Sequence, residues 1–292
     1  MKNRSIPYAV VLVSAFLSHA APGFARQAGC EIPFRLDGHL IVVEASIGKT
    51  SGLRFMIDTA ATGSLVDKKV IRALGLEQLP GESQIEALGQ NKKANRFLVP
   101  MLRIGPFLAT LHCHEADLAG LGVDGIIGLD LLRQQTGMAS CGTGEVIKGG
   151  SFTIDFETRR LCFGLQQRLE HTVPLEAQNP QIIVTAMIQG HPLRLAVDTG
   201  SYTIVLYKEP QSGLVEPWVM IDSPNFNRLG GMSGGKSVVL PDLKLGNSRW
   251  TDLSGILVDL PEQAKDGVLS VRQLGLKIVH FDFEANLMSW KK

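Results

Sequence analysis

Two aspartates stand in nearly the same local sequence. Asp58 follows residues 53–57 (LRFMI), Asp198 follows residues 193–197 (LRLAV), and a threonine comes next in both cases. A short apolar run predicts a buried strand, so each carboxylate would lie at the end of a rigid element. If the two strand ends met, the carboxyls would share one proton, because like charges that close cannot both ionise. One could then take a proton from water while the other polarises a carbonyl group.

The similarity extends along the chain as an internal repeat. Residues 102–105 (LRIG) correspond to 243–246 (LKLG), and residues 124–128 (DGIIG) correspond to 266–270 (DGVLS). The interval from 58 to 105 is 47 residues, and the matching interval from 198 to 246 is 48. Several ordered matches at the same spacing indicate two homologous lobes.

The repeat divides the mature chain into an N-terminal lobe, residues 31–166, and a C-terminal lobe, residues 170–292. Short alternating or β-branched segments dominate both, and helical patterns are confined to residues 68–74 and 129–135. We therefore expect an all-β fold, with two homologous β-barrel lobes, a short helix in each, and an active-site cleft between them.

The N-terminus has the pattern of a secretory signal peptide. A basic start precedes an apolar run at residues 6–17, which is shorter than the ~20 residues that span a bilayer, and small residues follow. We assign residues 1–25 to the signal, with cleavage after Ala20 or Ala25, and expect export to a periplasm or to the medium. An uncleaved membrane anchor and, more weakly, a lipoprotein acceptor at Cys30 are the alternatives.

The overall charge excludes one class of partner. Lys plus Arg total 29 and Asp plus Glu total 28, so the net charge is +1 and no basic stripe is present for nucleic acid. His112 and His114 flank Cys113 and could begin a metal site, but no third ligand is evident nearby, so we expect neither a metal nor another cofactor. Apart from the signal segment, we expect no contact with a membrane.

Four cysteines follow the signal segment. In an oxidising compartment an even number predicts disulfides, with three possible connectivities. Pairing Cys30 with Cys162 and Cys113 with Cys141 is one guess, because the first pair would tie the first strand of a lobe to its last. Four buried free thiols are the alternative.

The motifs resemble those of aspartic peptidases. Residues 197–201 (VDTGS) resemble the catalytic turn of that family, and residues 58–62 (DTAAT) look like a variant of it. Residues 124–128 are similar to the motif of two apolar residues and a glycine that braces the catalytic loop. Over nearly the whole mature chain, the similarity is greatest to bacterial retropepsin-like proteins with two lobes fused in one chain.

The resemblance implies roles for particular residues. Asp58 and Asp198 would form the catalytic dyad, with Thr59 and Thr199 as a hydrogen-bonded grip beneath it. The residues that support the catalytic loops would be Thr59, Ala60, Thr199, Gly200 and Ser201. The flaps that close over substrate would be residues 86–94, around Gly89, and residues 229–236, with Gly231 and Met232.

The function implied is an aspartic endopeptidase, a monomer that acts on a peptide or protein substrate. Ala60 and Ser270 stand where the family pattern has glycine. The alternative is therefore a catalytically impaired pseudopeptidase that binds peptides in the same cleft, and a purely structural envelope protein is a third possibility. A serine triad is unsupported, because Ser64 and Ser201 have no histidine at a comparable place in the repeat.

Overall fold

The computed structural model describes residues 30–87, 90–133, 139–142, 145–146, 150–165, 167–177, 179–207, 219–221, 225–228, 231–258 and 265–292. The proposed signal, residues 1–25, lies outside these ranges. The described chain is nearly all strand and forms two lobes, as the repeat predicts. Among these residues, no helix has both the length and the apolar character needed to cross a membrane.

The first lobe contains thirteen described strands and three short helical segments. Its strands are β1 (Cys30–Pro33), β2 (Arg35–Asp37), β3 (Leu40–Ile47), β4 (Thr50–Ile57), β5 (Leu65–Asp67), β6 (Glu77–Ala87), β7 (Gln90–Ile104), β8 (Phe107–Ala116), β9 (Gly125–Ile127), β10 (Ala139–Cys141), β11 (Glu145–Val146), β12 (Ser151–Asp155) and β13 (Arg160–Phe163). Its helices are α1 (Lys68–Leu74), a 3-10 turn (Ala119–Leu121) and α2 (Leu129–Leu132).

The second lobe repeats this order with strands alone in its described part. These are β14 (His171–Pro174), β15 (Ile183–Ile188), β16 (His191–Asp198), β17 (Ile204–Tyr207), β18 (Val219–Ile221), β19 (Asn225–Arg228), β20 (Gly231–Gly234), β21 (Lys236–Leu240), β22 (Leu243–Leu245), β23 (Ser248–Trp250), β24 (Leu253–Val258), β25 (Gly267–Ser270), β26 (Ile278–Asp282) and β27 (Leu287–Lys291). Residues 271–275, which correspond to α2, form a turn, so among the described residues short helices are found in the first lobe only.

Local sequence explains why α1 has the predicted limits. Asp67 precedes the helix, and its side chain accepts a hydrogen bond from the Lys69 amide at 2.8 Å. Gly75 follows in the left-handed conformation, which glycine adopts without a steric penalty. An acidic N-cap and a glycine C-cap therefore close both ends.

Each lobe is built on six strands in the same order. The first-lobe sheet contains β8-β5-β9-β4-β3-β7 in sequence, and the second-lobe sheet contains β24-β17-β25-β16-β15-β22. In both, the strand that ends beside the aspartate lies parallel to the glycine-motif strand, β4 to β9 and β16 to β25. Central strands are buried on both faces, so residues 55–57 and 195–197 are apolar and buried.

A third sheet joins the lobes, and its order is β1-β13-β12-β26-β27-β14. At its centre β12 pairs with β26, which places Phe152 opposite Phe281 and Thr153 opposite His280. The two phenylalanine rings stack with centroids 4.7 Å apart. The lobes therefore share one continuous apolar core.

The disulfide differs from our expectation. Cys30 is bonded to Cys141, with Cα atoms 5.6 Å apart, and not to Cys162. In the β1–β13 pair Cys30 lies opposite Phe163, while Cys162 is one residue away and so points to the other face of the sheet. Phe163 stacks on Phe107, the strand partner of Cys141. Cys30 and Cys141 therefore share one face.

The other two cysteines are buried free thiols. Burial raises the pKa of Cys113 to about 12 and that of Cys162 to about 11. Thiols with such pKa values are poor nucleophiles at neutral pH, so both act as small core residues.

Candidate active site

Both aspartates lie at the ends of central strands, at the junction between the lobes. Asp58 follows β4, and its amide donates to the Ile127 carbonyl of the neighbouring β9 at 3.0 Å. Asp198 is the last residue of β16 and lies beside Ser270 at the end of β25. Each aspartate therefore lies at the end of a strand that is hydrogen-bonded to a neighbouring strand on both sides.

The turn after each aspartate points backbone N–H groups at its carboxylate. Asp58 Oδ1 accepts from the amides of Ala60 at 2.8 Å and Ala61 at 3.3 Å. Asp198 Oδ1 accepts from the amides of Gly200 at 2.6 Å and Ser201 at 3.1 Å. The two turns are thus equivalent in geometry, and each holds one carboxylate oxygen fixed.

The two threonines bind the lobes to each other beneath these turns. Thr199 Oγ1 donates to the Ile57 carbonyl at 2.8 Å and accepts from the Thr59 amide at 3.1 Å. In the reciprocal half, Thr59 Oγ1 donates to the Val197 carbonyl at 2.7 Å and accepts from the Thr199 amide at 3.1 Å. Both side chains are fully buried. This grip fixes the relative position of the two aspartates.

The carboxyls of the two lobes meet beside Gly200. A methyl group on that glycine would lie 3.2 Å from Asp198 Oδ1 and 3.3 Å from Asp58 Cγ. Burial raises the pKa of Asp58, and its N–H donors offset part of that rise. The pKa of Asp198 is raised well above its usual range, first by burial and then by the charge of Asp58. Such a pair shares one proton over a wide range of pH.

A brace behind the first turn keeps it in place. The Gly128 amide donates to Ser64 Oγ at 3.0 Å, and Ser64 Oγ donates to Asp130 Oδ1 at 2.7 Å. A Cβ on Gly128 would lie 2.7 Å from the backbone of Gly63, so only glycine fits. Ser64 is therefore engaged in structure, and the sequence analysis did not single out its partner Asp130.

Comparison with known proteins identifies this arrangement. Residues 43–131, which include Asp58, its turn and its brace, match the model of a family described as aspartyl protease. This part of the chain is therefore similar to aspartyl proteases.

The fold of the whole chain agrees with this assignment. The crystal structure of an aspartic proteinase from Irpex lacteus superposes with a TM-score of 0.60, over 91% of this chain and 97% of that one. The sequences are 12% identical, so this likeness concerns the fold. No curated protein shows significant sequence similarity to the chain.

In the second lobe, Ser270 stands at the position of the first-lobe glycine Gly128, and its side chain supplies a hydrogen bond of its own. In the first lobe the Leu129 amide donates to the Ala61 carbonyl at 2.8 Å. In the second lobe the equivalent acceptor is the Ser201 carbonyl, which receives the Ser270 hydroxyl at 2.7 Å. Ser270 Oγ also accepts from the Gln273 amide at 3.2 Å. A side-chain hydroxyl thus replaces a backbone donor.

We expect Ser270→Ala to lower the free energy of unfolding by about 1–3 kcal/mol, because it leaves the Ser201 carbonyl and the Gln273 amide unpaired in a buried site. Urea unfolding measures this. Ser289→Ala is the matched control, since Ser289 is buried and its hydroxyl has no hydrogen-bond partner in the described part of the chain. Equal losses in both variants would contradict a bracing role for Ser270.

Ala60, the other departure from the family pattern, also fits its position. Neither Ala60 nor Gly200 has a positive φ, so neither turn requires glycine conformationally. A methyl on Gly200 would contact Met56 Cε at 3.2 Å. The strand register makes Ala196 the lobe-related counterpart of Met56. Ala196 is smaller than Met56, so the second lobe leaves room beside the first-lobe turn, where Ala60 carries its methyl group.

One turn has an alanine where the facing strand residue is small, and the other has a glycine where the facing residue is large. Substitutions at Ala60 and Gly200 should therefore affect cleavage differently. We expect Ala60→Gly to change the rate of peptide cleavage by less than about twofold, because that methyl group is already accommodated. Gly200→Ala, the matched variant, is expected to lower the rate by at least about tenfold, since its methyl would press on Met56 and Asp58. Steady-state kinetics on one peptide compares them. A large gain in Ala60→Gly would contradict the argument.

Two polar residues that the sequence analysis missed contact the turns across the lobe boundary, and a third, Lys265, binds one of them. His39 Nε2 lies 3.1 Å from the Gly200 carbonyl, and Gln181 Nε2 lies 3.5 Å from the Ala60 carbonyl. Lys265 Nζ donates to Gln181 Oε1 at 2.7 Å. Nothing in the repeat marks these positions, because the turn that each one reaches, directly or through Gln181, belongs to the other lobe.

Paired antiparallel strands occupy the described parts of both predicted flap segments. Strands β6 and β7 pair up to Ala87 and Gln90, and Gly89 lies outside the described residues. Gly231 and Met232 belong to β20, which pairs with β19. In the described part of the chain, no group of three or more His, Cys, Asp or Glu residues could hold a metal ion.

Proposed function

We propose that the protein is an aspartic endopeptidase in which Asp58 and Asp198 activate water for the hydrolysis of peptide bonds. The observation that carries this proposal is the pair of carboxyls that meet at Gly200, each on its own N–H-lined turn, above the threonine grip. The family match of residues 43–131 and the fold of the chain support the same class of chemistry.

The geometry suits a mechanism with no metal and no covalent intermediate. The ionised carboxyl removes a proton from water, and the water oxygen attacks the scissile carbonyl carbon. The protonated carboxyl meanwhile donates to the carbonyl oxygen, which gives a neutral tetrahedral diol. The carboxyl that took the proton from water then transfers it to the amide nitrogen, while a hydroxyl of the diol returns a proton to the other carboxylate. The C–N bond breaks, and the carboxylic acid and the amine are released. The dyad returns to its starting state, with one proton between two carboxyls.

We further propose that the enzyme acts as an exported monomer. One chain supplies both aspartates, so catalysis needs no second copy. The Cys30–Cys141 disulfide supports an oxidising compartment, as expected for a protein with a signal segment. The proposed substrate is an extended peptide lying in the cleft between the lobes.

The test is to incubate the chain from Arg26 onwards with a diverse peptide library, from acidic to neutral pH, and to locate cuts by mass spectrometry. We expect internal cleavage that a chelator such as EDTA does not inhibit. A folded protein that retains peptides without cutting them at any pH would overturn the proposal and favour the pseudopeptidase alternative.

A further inference from the structure

A cation of the second lobe is connected to the first-lobe turn. Lys265 Nζ donates to Gln181 Oε1 at 2.7 Å, and Gln181 Nε2 approaches the Ala60 carbonyl at 3.5 Å. The N–H of the same peptide group, which is the Ala61 amide, donates to Asp58 Oδ1 at 3.3 Å. The path therefore runs from an ammonium group to one particular carboxylate of the dyad, and its positive charge favours the ionised form of Asp58.

The other lobe has no cation at the equivalent position. Lys265 immediately precedes Asp266, and its counterpart, Val123, immediately precedes Asp124. Val123 is buried in an apolar cluster with Met56 and Ile126. The lobe repeat would place equal groups on both sides, so the lysine breaks the symmetry around the dyad.

Other ionisable groups surround this path. The Arg133 guanidinium donates to the Gln181 carbonyl at 3.2 Å, and Asp266 follows Lys265 directly while binding the Arg194 amide. On the opposite side, His39 contacts the Gly200 carbonyl. Burial lowers the pKa of His39, and the charge of Arg272 lowers it further, so this ring is neutral at neutral pH. The cation linked to a dyad turn through a side chain is thus Lys265.

We propose that Lys265 is a positioning residue that, through Gln181, keeps Asp58 as the ionised member of the dyad and leaves the shared proton on Asp198. Asp58 then removes the proton from water, and Asp198 donates to the scissile carbonyl. This inference rests on the proposed peptidase function.

The consequence is a change in pH dependence. A nearby cation lowers the pH at which the dyad loses its first proton, and the acidic limb of kcat/KM reports that ionisation. We expect Lys265→Met to move this limb to higher pH, so that kcat/KM measured on the limb falls several-fold while the plateau changes by less than about twofold. Lys265→Arg keeps the charge, so its acidic limb should lie at the same pH as in the wild type.

Lys244→Met is the matched control. It removes the same charge from an exposed lysine that pairs with Met187, near the end of β15 and six residues beyond Gln181 in the sequence. We expect its pH profile to follow the wild type. Equal shifts in Lys244→Met and Lys265→Met would overturn the proposal, because they would reflect net charge alone.

A second measurement separates this inference from the proposed function. Carbon-13 NMR of labelled aspartate carboxyls follows the dyad titration without turnover. A titration moved to higher pH in Lys265→Met supports the inference even if no peptide is cleaved, in which case the proposed function alone fails. An unmoved titration and acidic limb, in an enzyme that cleaves peptides, would refute the inference and leave the peptidase function intact.

Discussion

Replacement of either aspartate by asparagine should lower kcat/KM for peptide cleavage by about 10³-fold or more, because the two carboxyls act as one unit. An asparagine at 58 or 198 keeps an oxygen for the turn amides but can neither accept a proton from water nor share one with its partner. Both variants should lose activity to a similar extent, and full activity in either one would refute the dyad.

The same variants should be more stable than the wild type at neutral pH. The pKa of each aspartate is raised in the folded protein, so the native state binds more protons than the unfolded chain between the ordinary carboxyl pKa and the raised one. Stability is therefore lost as the pH rises through that window, and asparagine removes this loss. Thermal unfolding at acidic and neutral pH measures the difference.

Asp155→Asn provides a matched control for both effects. Asp155 Oδ1 accepts from the amides of Glu157 and Thr158, each at 2.9 Å, in a hairpin turn outside the cleft. The local geometry resembles that of the dyad turns, but no second carboxyl shares a proton. We expect unchanged cleavage and no gain in stability at neutral pH.

Thr199→Val should lower the free energy of unfolding by about 2–5 kcal/mol and reduce cleavage strongly. Valine has nearly the same shape as threonine, yet it leaves the Ile57 carbonyl and the Thr59 amide unpaired in a fully buried site. Because the grip joins the lobes directly under the dyad, the carboxyls should also lose their fixed separation. Denaturant unfolding measures the loss of stability, and kcat measures the loss of cleavage activity.

Comparison with other threonine variants tests the explanation. Thr199→Ser keeps the hydroxyl and should retain most stability and activity. Thr203→Val removes one hydrogen bond, to the Ser254 carbonyl at 3.2 Å, and should cost less than Thr199→Val. Thr59→Val combined with Thr199→Val should cost less than the sum of the single losses, since the two residues belong to one network. Strict additivity would count against a shared grip.

Much of the fold was predictable because it depends on local patterns that the chain carries twice. The strand at residues 40–47 and the helix at residues 68–74 were predicted with their observed limits, since apolar periodicity and capping residues act within a few positions. The aspartate turns were located for the same reason. Each aspartate motif is short enough to occur by chance, but its occurrence at the same place in both halves of the repeat made it significant.

The residues that sequence reasoning missed or misplaced depend on contacts across the fold. The pairing of Cys30 with Cys141 is decided by which face of a strand each side chain occupies, and the spacing along the chain does not reveal this. Gln181 and Lys265 act on a turn of the opposite lobe, which the repeat does not indicate. Likewise, Ser270 looked like a defect until its bond to the Ser201 carbonyl was known.

The shared sheet has a consequence for assembly. Thr153 and His280 occupy equivalent positions of the repeat and face each other in the β12–β26 pair, so the pseudo-two-fold axis passes between them. Thr153 Oγ1 and His280 Nδ1 lie 2.8 Å apart, within hydrogen-bond distance. Because both halves belong to one chain, their association is unimolecular and independent of mass action. The unfolding midpoint should therefore not vary with protein concentration, and dilution, which would separate two free lobes, should leave the two carboxyls together.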